Sequence, residues 1–246
     1  MLEEVLRNTM LDGEHLVLLL NSPGGDALAA ERIVNICTAF SDDGFSVVVP
    51  KMAKSAATMV CLGATRIGMS QNSELGPIDP QIFVADDPNK PTSGRYLAAH
   101  EIRRSFDNLL QRAEGCKGRI EPLLQQLSRY DSRLIEWIAS QQELSKSIAI
   151  KLLKDGVLKG RSASTIEKRI RPFLDPNYSK VHGRPIYHDT AKQCGLNIDL
   201  YDLKGQPWGR IWELYVRLKH VVTDNRRPTA KVIESARETY SAHVAV

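Results

Sequence analysis

Two short stretches carry residues that could do covalent chemistry. In "NSPGGD", residues 21–26, the apolar run "LVLLL" stops at Pro23, Gly24 and Gly25. Proline removes a backbone donor and glycine permits dihedrals that a side chain forbids, so the chain is free to turn sharply there. In "KSAATM", residues 54–59, Ser55 follows the strand-like "SVVVP" and opens a run of small residues. A serine at a strand-to-helix turn has its hydroxyl lifted out of the fold with the following amide beside it, the logic of a nucleophile elbow. Amides just ahead of a helix lack partners and lie at the positive end of its dipole, which suits developing negative charge. One turn could offer an oxyanion hole and the next a nucleophile, the pairing that acyl transfer requires. An ordinary Gly-rich turn and a plain N-cap serine would fit the same residues.

The elements around these turns follow from periodicity. After the first turn, Ala29, Ile33, Ile36, Cys37 and Phe40 fall at helical spacing, and Asp26 stands where an N-cap belongs. The pattern from residue 1 to about 85 alternates strands with helices: "LVLLL", a helix from about 27 to 40, "SVVV", a small helix from 55, and "TRIGM". Such alternation implies parallel pairing and an α/β architecture. Successive parallel strands end on the same sheet edge, where open α/β sheets place their ligands. Residues 82–96, with two prolines and a glycine, read as a surface loop. Residues 97–175 read as helical, with Leu134, Ile138, Gln141, Leu144 and Ile148 on one stripe of a long helix. "GRPIYHDTAKQCGLNIDLYD" returns to α/β character, with Gly195 as a helix C′ residue before a last strand. "WGRIWELYVRLKHVV" predicts an amphipathic helix, and the last twenty or so residues read as a tail. Four segments result: 1–85 and 181–223 of α/β character, 86–180 mainly helical, and 224–246.

Composition limits the possibilities. The 246 residues, 42% hydrophobic and 25% charged, suit a globular protein with a sizeable core. A net charge of +4, spread along the chain, disfavours nucleic acid as a partner. Cys37, Cys61, Cys116 and Cys194 lack CxxC spacing, so neither a zinc site nor a disulfide framework is expected, and no cofactor is called for. "MLEEVLRNTM" has neither the basic nor the apolar region of a signal peptide, and eighteen apolar residues never run together. The expectation is a cytoplasmic protein, compatible with peripheral membrane association.

"NSPGGD", then "KSAATM", then "ELGPIDPQ" resembles the Clp-fold serine proteases, and among them the serine dehydrogenase proteinase family. The likeness covers roughly residues 14 to 82 and resumes over 182–196 in "HGRPIYHDTAKQCGL". It implies a ClpP/crotonase-like core of repeated ββα units with a helical addition, and a serine peptidase with a Ser, Asp, His triad. Carried over by motif, the nucleophile is Ser55, the acid Asp79 within "GPIDPQ", and the base His182, with the amides of Gly25 and Ala56 as oxyanion donors. Where the family commonly has Asp and Tyr after the histidine, this chain has Gly183 and Arg184. The resemblance also implies a homo-oligomer acting on a peptide or protein substrate. Since GxxxxGK[ST] is absent, substrate unfolding would need a separate ATPase, and a membrane partner is also compatible.

His188 competes with His182 as base. The related signal peptide peptidase A family pairs its serine with lysine, for which Lys54, Lys117 and Lys146 are candidates. A lysine base needs burial to depress its pKa. Two other classes fit the fold: a crotonase-like acyl-CoA enzyme, indifferent to Ser55, and a non-catalytic scaffold.

Overall fold

In the computed structural model, which describes residues 1–9, 13–85, 93–175, 178, 181, 183–224 and 229–243, the core is a four-stranded parallel sheet. Its strands are β1 (Leu16–Leu19), β2 (Phe45–Val49), β4 (Arg66–Ser70) and β8 (Ile198–Tyr201), in the order β1-β2-β4-β8. All three pairings are parallel. The connections are helical, as parallel strands require. The chain is thus α/β with a parallel sheet, as its strand and helix alternation predicts.

A second, smaller layer lies beyond the ends of these strands. β3 (Met52–Ala53) pairs in parallel with β5 (Glu74–Leu75), Ser22 bridges Ala53, and Leu75 bridges Ile186 antiparallel. The run β2, β3 and then helix α3 (Ala56–Gly63) therefore reads strand, strand, helix. Helix α1 (Leu2–Asn8) precedes β1, and α2 (Ala27–Ala39) follows it. Asp26 caps α2, accepting from the Ala29 amide at 2.8 Å. The buried face of α2 is Ala30, Val34 and Cys37, with Ile33, Ile36 and Phe40 partly covered, so the expected stripe sits one residue further along at its start. Helix α3 buries every residue from Ala56 to Leu62, which its small and apolar side chains allow.

The helical region is α4 (Ala99–Glu114), α5 (Glu121–Leu127), α6 (Ser132–Asp155), α7 (Ala163–Arg169) and α8 (Arg171–Leu174). Helix α6 packs on α2 and α3. It buries Ile138 and Ile148 of the predicted stripe, together with Ser145, Ala149, Leu152 and Leu153. α9 (His188–Gln193) leads through Gly195, at φ +91, into β8. α10 (Gln206–Thr223) is the amphipathic helix expected near the end.

Two expectations are corrected. Residues 82–96 are not simply a loop: β6 (Gln81–Ala85) and β7 (Gly94–Ala98) form an antiparallel hairpin, held in part by an edge-to-face contact between Phe83 and Tyr96 at 5.3 Å. Residues 229–243, within the expected tail, are structured as well. β9 (Thr229–Glu234) and β10 (Thr239–His243) pair antiparallel, and β9 packs against α1 and α10. In both, "IFVA", "RYLA", "AKVI" and "TYSA" have the β-branched and aromatic content of strands, outweighing the flanking turn residues. No described helix is long and apolar enough to cross a membrane.

Candidate active site

Ser55 sits at the junction of β3 and α3 with φ 51 and ψ −119, the one described non-glycine residue at positive φ. Such a conformation costs on the order of 1–3 kcal/mol and persists only where the surroundings impose it. They do so here. Thr58, one turn into α3, is buried and donates its hydroxyl to the Ala53 carbonyl at 2.7 Å, while accepting from the Gly76 amide at 3.0 Å. The Lys54 ammonium contacts the Leu75 carbonyl at 3.1 Å and the Glu74 carboxylate at 2.6 Å. The elbow is thus strapped to β5 on both sides of the serine.

The N-cap alternative for Ser55 fails on geometry. Although it stands at the N-cap of α3, its side chain makes no capping bond, unlike Asp26, Asp131 and Ser162 on α2, α6 and α7. A strained serine whose hydroxyl is unused for structure is free for another task.

The Gly24–Gly25 turn lies against this elbow. A Cβ on Gly24, at φ +114, would meet the Lys54 carbonyl and the Ser55 Cβ, each at 2.8 Å. Close approach therefore falls on Gly24. At Gly25, φ +157, a Cβ would meet open space within 4 Å, so there the demand for glycine is one of backbone conformation alone. The Gly25 and Ala56 amides have no hydrogen-bond acceptor among the described residues. Gly24→Ala is expected to displace the elbow: thermal stability should fall by about 1–3 kcal/mol and Ser55 should lose reactivity toward an electrophile. Unchanged melting and unchanged labelling would show that the turn does not brace Ser55.

Ser55 opens onto a groove of about 350 Å³. Gly25, Ala56 and Met59 form the side of the two turns, Pro80 and Gln81 the start of β6, and Trp137, Gln141 and Ser145 the face of α6. Tyr96 of β7 also borders it. Gln141 of the predicted stripe thus serves the groove rather than the core.

Asp79 is buried just ahead of Pro80, and its carboxylate is held by two side chains. His100 Nδ1 lies 2.6 Å from Asp79 Oδ2, and Gln142 Nε2 donates to Oδ1 at 3.3 Å. His100 was not singled out in the sequence, where "YLAAHEIRR" reads only as the start of a helix. The bond to Asp79 raises the His100 pKa above the ordinary 6.5, outweighing burial, which acts in the opposite direction. A raised imidazole pKa contributes stability that is complete below the unfolded value and lost as pH rises through the folded one. Melting temperature, followed from about pH 5 to about pH 9, is expected to decline above the ordinary imidazole value, and His100→Gln should lose that component. An identical pH dependence in the variant would show that the pair carries no net stabilisation.

His182 lies outside the described residues. Ile186, four residues on, is tied to Leu75 of β5 by reciprocal backbone bonds of 3.0 and 2.9 Å. His188 is half-buried at the start of α9. Of the lysines, Lys54 is committed to Glu74, Lys117 is exposed, and Glu143 raises the pKa of Lys146, the reverse of what a lysine base needs. Burial pushes the thiols of Cys37 and Cys194 up to about 11 and that of Cys61 higher still, so these cysteines are neutral core groups. Among the described residues no group of His, Cys, Asp and Glu is arranged to hold a metal ion.

A strained elbow serine beside a glycine turn is the arrangement to which the comparison with known families speaks. Residues 2–91 match the family model of the ClpP-like SDH-type serine proteinases. The family match takes in Gly24, Gly25, Ser55 and Asp79, and ends before His100 and the helical region. The chain is also 37% identical over 203 residues to the uncharacterized protein MJ0137 of Methanocaldococcus jannaschii, covering 80% of this chain and 58% of the relative. It is 37% identical over 82 residues to the uncharacterized protein MJ1495 of the same organism, covering 32% of this chain and 28% of that one. The chain therefore spans less than two thirds of the length of these curated relatives. The segment that matches the family model supplies the turn, the elbow and Asp79, whereas α6 supplies the groove's far wall, and α4 and α6 supply His100 and Gln142, which hold Asp79.

Proposed function

We propose that this chain is a serine peptidase that hydrolyses peptide bonds through an acyl-enzyme on Ser55, built on a ClpP/crotonase-like core. The observation that carries this reading is Ser55 itself, strained at φ 51 with its hydroxyl free of any capping role, at a groove that it shares with the Gly25 turn. The Ser55 Oγ attacks the substrate carbonyl carbon while its proton passes to the imidazole of His182, which Asp79 orients. The carbonyl oxygen, now an oxyanion, is received by the amides of Gly25 and Ala56. Collapse of the tetrahedral intermediate breaks the C–N bond, and the imidazolium proton leaves on the amine. Water then attacks the ester with the same imidazole as base, releasing the acid and restoring Ser55. Two accepted hydrogen bonds leave the Asp79 carboxylate with lone pairs for a further imidazole, since an ionised carboxylate offers about four acceptor sites.

Among the described residues, the groove's lining holds no lysine or arginine, and its acid, Asp26, is occupied in capping α2. Its walls suit an extended, uncharged stretch of polypeptide. We further propose that the protein works as a homo-oligomer, because Trp212, Leu214, Val216 and Val221 of α10 stand exposed. The test is treatment with a small fluorophosphonate followed by mass spectrometry of the modified peptide. Modification of Ser55 is the expected result, and labelling of another serine, or of none, would overturn the proposal.

A further inference from the structure

We propose that His100 is a positioning residue which, through Asp79, clasps the three walls of the groove around Ser55. The proposal rests on the peptidase reading for its substrate and on the geometry of one carboxylate for the rest. Asp79 directly precedes Pro80 and Gln81, which form one wall. Gln142, donating to Asp79 Oδ1, directly follows Gln141 on the wall supplied by α6. His100, bonded to Oδ2, stands in the first turn of α4, four residues beyond Tyr96 on the hairpin side. The Ala99 amide reinforces the join by donating to the Pro80 carbonyl at 2.8 Å. Segments distant in sequence thus meet at Asp79, and His100 is the one partner there able to carry charge.

His100 does not line the groove, and its hydrogen bond goes to the carboxylate that directly precedes the Pro80–Gln81 wall, so it acts on the groove through Asp79. Its ring faces Asp79 from the β5–β6 turn, with Glu101 and Arg104 of its own helix acting in opposite senses. The α6 side presents uncharged Gln142, whose carbonyl accepts from Arg103 at 3.3 Å. While the imidazole is protonated, the bond to Asp79 is charge-assisted and the walls are held. Loss of the proton leaves a neutral hydrogen bond and a looser groove. The clasp therefore weakens toward alkaline pH, the opposite direction from the activation of a histidine base.

The test compares wild type with His100→Gln in three measurements. Fluorophosphonate labelling of Ser55 reports on the nucleophile and its activation, KM for fluorescein-labelled casein reports on the groove, and acrylamide quenching of Trp137 reports on the α6 wall. The Trp137 signal is taken as the difference from Trp137→Phe. In wild type, KM and Trp137 quenching are expected to rise together as pH increases above the ordinary imidazole value. In His100→Gln, KM should be raised about tenfold and Trp137 quenching should be high at every pH, with labelling within about threefold of wild type. If His100→Gln does not fold, Gln142→Leu releases the same carboxylate from the α6 side and should raise KM without loss of labelling. KM and quenching that follow wild type across pH would overturn the clasp, and so would loss of labelling along with turnover, which would place His100 among the reacting groups. Failure of wild-type Ser55 to label would overturn the peptidase reading instead, and the quenching comparison would still decide the clasp.

Discussion

Ser55→Ala is expected to abolish fluorophosphonate labelling and to reduce peptide turnover by a factor on the order of 10⁴–10⁶, with the fold intact. The size of the effect follows from chemistry, since without the hydroxyl no acyl-enzyme can form and only binding and the oxyanion donors remain. Its selectivity follows from structure. Removing a working N-cap serine typically costs about 1 kcal/mol, but Ser55 makes no capping bond, so that loss does not arise. Alanine also continues the small-residue run of α3. The melting temperature should therefore stay within a few degrees of wild type while activity disappears. An acyl-CoA enzyme of the same fold would be indifferent to the substitution, and a scaffold would show no labelling at the start. Retained turnover in Ser55→Ala would exclude the acyl-enzyme.

His182→Ala and Asp79→Asn are expected to depress acylation by a factor on the order of 10³–10⁴ each, and the double variant should be little worse than the worse single one. Members of a triad act as a unit, so once one is lost the others have little left to contribute. In wild type, acylation should rise with pH through the range where a histidine loses its proton, near 6.5 when unperturbed. Single-turnover acylation of Ser55 across about pH 5 to 10 measures this directly. Asp79→Asn carries a second consequence. It leaves His100 facing an amide in place of a carboxylate, so KM should rise with the fall in acylation, whereas His182→Ala should leave KM near wild type. If acylation survived in His182→Ala, His188 or a lysine would take the role. Lys54 enters that contest poorly placed, because Glu74 and the Leu75 carbonyl already hold its ammonium.

Much of the site is legible in local sequence because it is built from local geometry. A proline and two glycines after "LVLLL" can only end a strand, Asp26 can only be useful at a helix start, and a serine between "VVVP" and a run of small residues implies a tight turn. These are short-range constraints set by backbone sterics, and the structure meets them at Gly24, Asp26 and Ser55. The parallel sheet follows in the same way from strands alternating with helices.

What tertiary structure alone decided is which distant side chains meet. Nothing in "YLAAHEIRR" distinguishes His100 from a solvated helix residue, yet it lies 2.6 Å from a carboxylate twenty-one positions earlier. Gln142 reaches the same carboxylate from sixty-three positions away, and Thr58 finds its partner in Gly76. The two terminal hairpin strands, like β6 and β7, lie outside the alternation of parallel strands and helices, and each is paired with the other. Local propensity is a property of the chain segment, whereas the partner of a buried polar group is chosen by the packing of whole elements, because a buried carboxylate must find donors wherever the fold brings them. The sequence by itself thus determined the turns, the elbow serine and the parallel sheet, and the packing of α4 and α6 against the β5–β6 turn decided what holds Asp79 and what walls the groove.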